Sequence, residues 1–157
     1  LIDGDFRKPA QYKIFDRRNT KQPSFSDVVA GKLSWDQAAV ENEKTGVLEL
    51  FQFKILKNPV ALLNSKKLED VMAALRSEMD YIIIDCSPVA VAADAELWMH
   101  HVDTVALVVR QDRADVRVIN DTVDLIWKSC EDFSGFILNA FQEEQPRPGH
   151  SGRYGEY

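Results

Sequence analysis

The chain has 157 residues, 45% of them hydrophobic and 28% charged, which is the size and composition of a single globular domain. This balance excludes a disordered polypeptide, and no run of about 18 apolar residues is present to span a membrane. A net charge of −6 disfavours nucleic acid as a partner, and the two cysteines make neither a disulfide framework nor a metal cluster, so we expect a reducing, cytoplasmic setting.

The first third of the chain is predicted to contain a strand end, short helices and a second strand. The chain begins at Leu1 rather than Met, and residues 1–3 have the apolar character of a buried strand. Gly31 stops one helix, and the capping-box pair Ser34 and Gln37 starts the next. In chain order we predict a strand at 1–3, a loop at 4–9, helices at 10–15 and 26–30, a helix from 34 to 43, and a strand at 47–53.

The remainder of the chain alternates helices with short apolar runs. Leu68, Met72 and Leu75 follow the spacing of an amphipathic helix. Residues 81–84 are a continuous apolar run, which is typical of a strand buried on both faces of a parallel sheet. In chain order we predict a helical turn at 59–63, a helix at 66–79, a strand at 81–84, a helix at 92–101, a buried strand at 104–109, a helix at 114–130 and a strand at 136–139.

This alternation of strand and helix determines the expected fold class and domain organisation. It predicts an α/β fold with a mainly parallel, doubly wound sheet. We assign residues 1–140 to one domain, because no interdomain linker is visible. Residues 141–157 are polar and contain several prolines and glycines, so we predict a flexible tail.

Charge is distributed unevenly along the chain. Residues 1–32 carry a net charge of +3, whereas the remaining residues carry −9. A basic segment on an acidic domain indicates either an anion site, a contact with a complementary subunit, or a solvated basic loop.

Acidic residues follow two of the predicted strands. Asp3 and Asp5 end the first strand and share a face if it continues, and Asp85 directly follows the strand at 81–84. Ligands bind beyond the carboxyl ends of an open parallel sheet, where neighbouring strands are about 4.8 Å apart. If these strands are neighbours, the three carboxylates form a site for Mg²⁺, with Arg7 close enough to contact phosphate.

For Asp85 and for a further residue, Arg110, a structural role is an open alternative to ligand binding. Acidic residues also end strands as helix N-caps or turn formers, and that interpretation applies to Asp85. Arg110, at the end of the strand at 104–109, either reaches phosphate or caps the sheet edge.

Residues 1–9, LIDGDFRKP, resemble the Walker A′ motif of the bacterial tyrosine kinases (BY-kinases) of capsule and exopolysaccharide synthesis. That motif is an apolar strand followed by Asp-x-Asp-x-Arg. Residues 80–88, DYIIIDCSP, resemble the Walker B motif of the same kinases, and residues 25–31 and 58–63 resemble two further segments of them. Tyr154 and Tyr157 lie where this family keeps its C-terminal tyrosines. The resemblance covers nearly the whole chain in order.

The resemblance implies a P-loop NTPase fold of the MinD/ParA-like type and a role for each motif residue. Asp3 is the implied base for the incoming tyrosine hydroxyl, and Asp5 and Arg7 belong to the same catalytic motif. Mg²⁺ is implied to be held by Asp85, Asp3 and Asp5. ATP is implied to contact Asn139 through its adenine and Arg110 at the strand end near the nucleotide. Tyr154 and Tyr157 are the implied phosphate acceptors.

The resemblance also implies partners and a location. Members of the BY-kinase family work with a transmembrane polysaccharide chain-length regulator that activates them. They form homo-oligomeric rings, and a cognate tyrosine phosphatase removes the phosphate groups that they add. This implies action at the inner face of the cell membrane, through a fused or separate membrane partner.

The largest departure from the family pattern is the phosphate loop. No Gly-x-x-x-x-Gly-Lys-Ser/Thr stretch is present, although the family has this loop before Walker A′. We therefore expect the chain to be the C-terminal part of a longer protein, with a sheet that is incomplete at the N-terminus, and we expect it to be inactive alone. Two alternatives remain: a MinD/ParA-type ATPase, and a non-catalytic scaffold that has lost its phosphate loop.

Overall fold

The computed structural model describes residues 1–18, 21–89, 91–130 and 132–142. Over these residues helices and strands alternate, as the sequence predicts for an α/β protein. In chain order the elements are β1 (Ile2–Asp3), α1 (Gln11–Ile14), α2 (Phe25–Val29), α3 (Trp35–Ala38), β2 (Val40–Glu41), β3 (Leu48–Glu49), α4 (Val60–Leu63), α5 (Lys66–Glu78), β4 (Ile84–Asp85), α6 (Asp94–Met99), β5 (Val105–Arg110), α7 (Val116–Ser129) and β6 (Phe133–Asn139).

The strands pair in three sets. β1 pairs with β4 in parallel, with Asp3 opposite Asp85, and a parallel bridge from Ile2 to Leu50 adds a third chain segment beside β1. β5 pairs with β6 in parallel from Val105 to Arg110. β2 and β3 form a short antiparallel hairpin. The parallel pairing predicted for the main sheet is therefore confirmed.

The hydrophobic core lies between β1 and the helices α2, α5 and α6. Phe6, Phe25 and Trp98 stack on one another at its centre, with ring centroids 5.9 to 6.3 Å apart. Helix α5 contributes Leu68, Met72 and Leu75, the same apolar stripe that the helical spacing predicts. Burial of this stripe stabilises a helix whose opposite face is charged.

Several element boundaries differ from the prediction. The helix expected from 34 to 43 ends at Ala38, because Ala39 is extended with a ψ of 140° and Val40 pairs with Glu49. The tertiary pairing of a β-branched residue overrides the local helical pattern here. The strands expected at 47–53 and 81–84 are shorter, at Leu48–Glu49 and Ile84–Asp85.

The strands are not buried on both faces as predicted. Ile83 is 65% exposed, and Val108 and Ile137, which are partners across β5 and β6, are 57% and 54% exposed. Alternate residues of β5 are half-buried and exposed, whereas Phe136, Ile137 and Leu138 of β6 are all exposed, so the described elements leave both faces of this part of β6 uncovered. None of the helices in the described ranges has the length and apolarity needed to cross a bilayer.

Candidate active site

The carboxyl ends of β1 and β4 bring two acidic residues together. Asp3 and Asp85 are register partners in adjacent parallel strands, as the sequence predicts for strands that are neighbours. Asp3 is completely buried, whereas Asp85 is exposed to solvent. One carboxylate therefore lies inside the protein and the other at its surface, at the same edge of the sheet.

The Asp3 carboxylate is held by backbone amides of the loop that follows it. Its Oδ1 accepts from the Asp5 N–H at 3.3 Å, and its Oδ2 accepts from the Gln11 N–H at 3.1 Å. Burial nevertheless raises the pKa of Asp3 to about 6, and the negative charge of Asp85 adds to this, while the backbone hydrogen bonds oppose it. Asp3 is thus a stronger base than an ordinary aspartate.

Asp5 and Arg7 are engaged within the protein. Asp5 Oδ1 accepts from the backbone N–H groups of Arg7 and Lys8, at 3.1 and 2.9 Å, so it closes the turn of its own loop. Arg7 forms a two-pronged ion pair with Asp94 at the start of α6, with Nε and Nη2 at 2.6 and 2.9 Å from the carboxylate oxygens. Asp94 is almost fully buried, so Arg7 ties the loop to α6. The predicted contact of Arg7 with phosphate stays a prediction.

Gln11 is the residue of this site that the sequence did not single out. Its backbone N–H donates to Asp3, and its side-chain Nε2 donates to Asp85 Oδ2. One residue in the first turn of α1 therefore contacts both carboxylates. No motif marks such a residue, because the contact joins positions that are 74 residues apart.

The loop also requires glycine at position 4. The Trp98 indole N–H donates to the Gly4 carbonyl oxygen at 3.0 Å. A Cβ at position 4 would lie 2.8 Å from Ile84 Cγ2 and 2.9 Å from Trp98 Nε1. The close approach of Trp98 and Ile84 leaves no room for a side chain between Asp3 and Asp5.

The residues of this edge fit a magnesium ion that is only partly held by protein. Among the described residues, no three His, Cys, Asp or Glu side chains converge in the geometry of a metal site, so Asp3, Asp5 and Asp85 do not form a ready-made cage. Mg²⁺ commonly takes one or two carboxylates and fills its other positions with phosphate oxygens and water. The exposed carboxylate of Asp85 and the half-buried Asp5, two residues after the register partner of Asp85, match that donor set.

The two residues after Asp85 carry a thiol and a hydroxyl group. Burial raises the pKa of the Cys86 thiol to about 11, which disfavours the thiolate and makes this cysteine unreactive. The Ser87 hydroxyl is buried and makes no hydrogen bond among the described residues.

The residues predicted to contact the nucleotide lie on the second pair of parallel strands. Arg110 and Asn139 are register partners at the carboxyl ends of β5 and β6, and both are exposed. Asn139 Oδ1 accepts from the Ala140 N–H at 2.7 Å. No pairing among the described strands joins this pair to β1 and β4. Tyr154 and Tyr157 lie outside the described residues.

Comparison with known sequences finds tyrosine kinases over the full length of the chain. EpsB of Ralstonia solanacearum, which carries the name of a tyrosine-protein kinase, is 28% identical over all 157 residues, which span 21% of EpsB. The tyrosine-protein kinase CpsD of Streptococcus pneumoniae is 26% identical over the whole chain, which spans 69% of CpsD. This chain is a homologue of bacterial tyrosine-protein kinases. No protein-family profile matches it.

Solved structures support this homology and show the fold. The kinase domain of VpsO has a TM-score of 0.83 at 29% identity, with 90% of this chain and 70% of that domain covered. The kinase domain of the Escherichia coli tyrosine kinase ETK has a TM-score of 0.81 at 21% identity, with 99% and 59% covered. The cell division ATPase MinD of Pyrococcus furiosus has a TM-score of 0.67 at 22% identity, with 87% and 56% covered. The predicted α/β fold of the MinD-like type is confirmed.

Proposed function

We propose that the protein containing this chain transfers the γ-phosphoryl group of ATP to tyrosine hydroxyls in the production of capsule or exopolysaccharide. The chain spans about a fifth of EpsB, so this activity is proposed for the whole protein. The observation that carries the proposal is the pairing of Asp3 with Asp85 at the carboxyl ends of adjacent parallel strands, in a chain that aligns throughout with tyrosine kinases.

The chemistry proposed for Asp3 is removal of the tyrosine proton. The oxygen of the phenol forms a bond to the γ-phosphorus, the bond from that phosphorus to the β–γ bridging oxygen breaks, and Asp3 accepts the phenolic proton. A phenol has a pKa of about 10, so an aspartate is a weak base for it; burial narrows that gap by raising the pKa of Asp3, and a bound Mg²⁺ acts in the opposite direction. Transfer of the proton late in the reaction, as the new bond forms, removes the remaining mismatch.

We assign neutralisation of the phosphate charge to Mg²⁺ and to basic side chains. When bound, Mg²⁺ neutralises phosphate charge, and we assign Asp85 and Asp5 to hold it, with Asp3 beside them. We assign the adenine contact to Asn139 and a phosphate contact to Arg110. Arg7 holds the loop to α6 through Asp94, which keeps Asp3 and Asp5 in place.

The wider setting is also proposed by resemblance. We infer that the whole protein acts at the inner face of the cell membrane with a transmembrane polysaccharide chain-length regulator. Assembly into a homo-oligomeric ring would let the tail of one subunit, with Tyr154 and Tyr157, enter the site of the next. A cognate tyrosine phosphatase would reverse the modification.

The test is phosphorylation of the full-length protein by Mg-ATP, read by mass spectrometry at Tyr154 and Tyr157. We expect phosphotyrosine in the wild type and its loss in Asp3→Ala and Asp85→Ala, with circular dichroism unchanged. Asn139→Ala should mainly weaken nucleotide affinity, and Asp36→Ala, an exposed aspartate on α3, is the matched control. Unmodified tyrosines in the wild type, or full activity in Asp3→Ala, would contradict the proposal.

The structural likeness to MinD favours one second candidate, an ATPase that hydrolyses ATP without modifying tyrosine. The same experiment separates the two functions if released phosphate is measured alongside phosphotyrosine. ATP hydrolysis that depends on Asp85 but yields no phosphotyrosine would support the ATPase.

A further inference from the structure

Gln11 is placed so that it contacts both acidic residues at the edge of the β1–β4 pair. Its backbone N–H lies 3.1 Å from Asp3 Oδ2, and its side-chain Nε2 donates to Asp85 Oδ2. The helix that carries it is anchored by aromatic contacts, Tyr12 against Phe53 with centroids 5.5 Å apart and Phe15 against Phe51 at 5.2 Å. Gln11 is thus presented by a fixed helix.

Asp85 needs such a partner to adopt one orientation. It is exposed, and an exposed carboxylate without a hydrogen bond samples several rotamers, whose loss on ordering has an entropic cost. It also faces a like charge, because ionised Asp3 is its register partner. A neutral amide donor satisfies Asp85 without adding charge, which an acidic side chain at position 11 could not do.

We propose that Gln11 is a positioning residue for the divalent cation, and this inference rests on the proposed function. By binding Asp85 Oδ2, Gln11 holds the carboxylate in one orientation and would leave Oδ1 available as a ligand for the cation. Hydrogen bonds to a ligating carboxylate from outside the coordination sphere hold it in its binding orientation, and their loss commonly lowers metal affinity by about 10- to 100-fold.

The test measures cation affinity directly. Mn²⁺ is titrated into the full-length protein in the presence of ADP, and free Mn²⁺ is followed by electron paramagnetic resonance. We expect Gln11→Ala to weaken Mn²⁺ binding by about 10- to 100-fold. Gln11→Glu, which keeps the side-chain length but removes the donor and adds a negative charge facing Asp85, should weaken it as well. Gln11→Ala should leave the thermal unfolding midpoint near that of the wild type, since alanine is a good helix former, whereas Gln11→Glu should lower it through repulsion by Asp85.

The matched control is Gln37→Ala on α3. Gln37 is exposed, and its Oε1 accepts from the Ser34 N–H at 3.1 Å, so this variant loses a helix-capping bond but touches neither carboxylate. It should lower stability and leave Mn²⁺ affinity unchanged. Loss of Mn²⁺ affinity in Gln37→Ala equal to that in Gln11→Ala would overturn the inference, because the effect would then follow from stability alone.

A variant of Asp85 separates this inference from the proposed function. If Asp85→Asn abolishes Mn²⁺ binding while Gln11→Ala binds as tightly as the wild type, Gln11 has no positioning role and the proposed metal site stands. If the wild type binds no Mn²⁺, or if Asp85→Asn binds it normally, the metal part of the proposed function and the role of Gln11 are both wrong.

Discussion

Asp3 carries a carboxyl group that the fold makes difficult to ionise. Its pKa of about 6 lies above the value of 3.8 for an unperturbed aspartate, so the native state binds this proton more tightly than the unfolded state does. The stabilising effect of the proton is therefore complete below pH 4 and is lost as the pH rises through about 6. At neutral pH, ionisation of the buried Asp3 lowers the free energy of unfolding by on the order of 2–3 kcal/mol.

A pH titration tests this perturbation of Asp3. The ¹³Cγ resonance of Asp3, measured without divalent cation, should titrate near pH 6. Added Mg²⁺ should lower that midpoint, because a nearby cation stabilises the ionised form. A midpoint for Asp3 near 3.8, the value of an unperturbed aspartate, would contradict the burial argument.

At the scale of elements, the loop between β1 and α1 is held by contacts with distant parts of the chain. Arg7 reaches Asp94 across 87 residues, Gln11 reaches Asp85 across 74, and Trp98 reaches the Gly4 carbonyl across 94. Each contact comes from β4 or α6, so these two elements determine the shape of the candidate site.

The contact of Trp98 with Gly4 is tested by adding a methyl group. Gly4→Ala should lower the free energy of unfolding by about 1–3 kcal/mol, because its Cβ would overpack against Ile84 and Trp98. Urea denaturation measures the change. In Gly4→Ala/Trp98→Phe the smaller ring removes the close approach to Trp98 but not the one to Ile84, so the two effects should add only in part. A wild-type midpoint for Gly4→Ala would show that the loop has room to move.

Helix α7 depends on a single acidic cap. Asp115 Oδ1 accepts from the Arg117 N–H at 2.7 Å and satisfies one of the free amides at the start of this helix. Asp115→Ala should therefore destabilise the protein by about 1 kcal/mol, measured by thermal unfolding. Asp121→Ala, the same change at an exposed position within the helix, should be neutral. Equal effects of the two variants would argue against the cap.

At the scale of the whole molecule, one face of the β5–β6 pair is uncovered by the described elements. Val108 and Ile137 lie opposite each other and are more than half exposed. Adjacent exposed apolar residues on a sheet form a surface that binds hydrophobic probes, unlike a single apolar side chain on a helix.

Residues 1–157 alone should therefore bind the dye ANS. Val108→Lys/Ile137→Glu should reduce the fluorescence, because it replaces the apolar pair with opposite charges that interact across the strands. Val116→Lys, which removes a 69% exposed valine from α7, should leave it unchanged. Equal dye binding by the wild type and the double variant would show that this face does not form the hydrophobic surface.

Local patterns in the sequence determined the elements and the motif positions. The spacing of Leu68, Met72 and Leu75 was sufficient to predict α5, and the apolar run before Asp85 was sufficient to predict a strand, whose pairing with β1 only the structure shows. These features depend on periods of two or a few residues, which a sequence displays directly. The α/β class and the tyrosine kinase relationship followed from their order.

Tertiary structure alone decided what each side chain at the site touches. No sequence pattern marked the ion pair of Arg7 with Asp94 or the contact of Gln11 with Asp85. Tertiary pairing also ended the predicted helix at Ala38. These outcomes depend on burial and on partners that are many tens of residues away in the sequence. The interactions that decide them form only when the chain has folded and has brought those partners together.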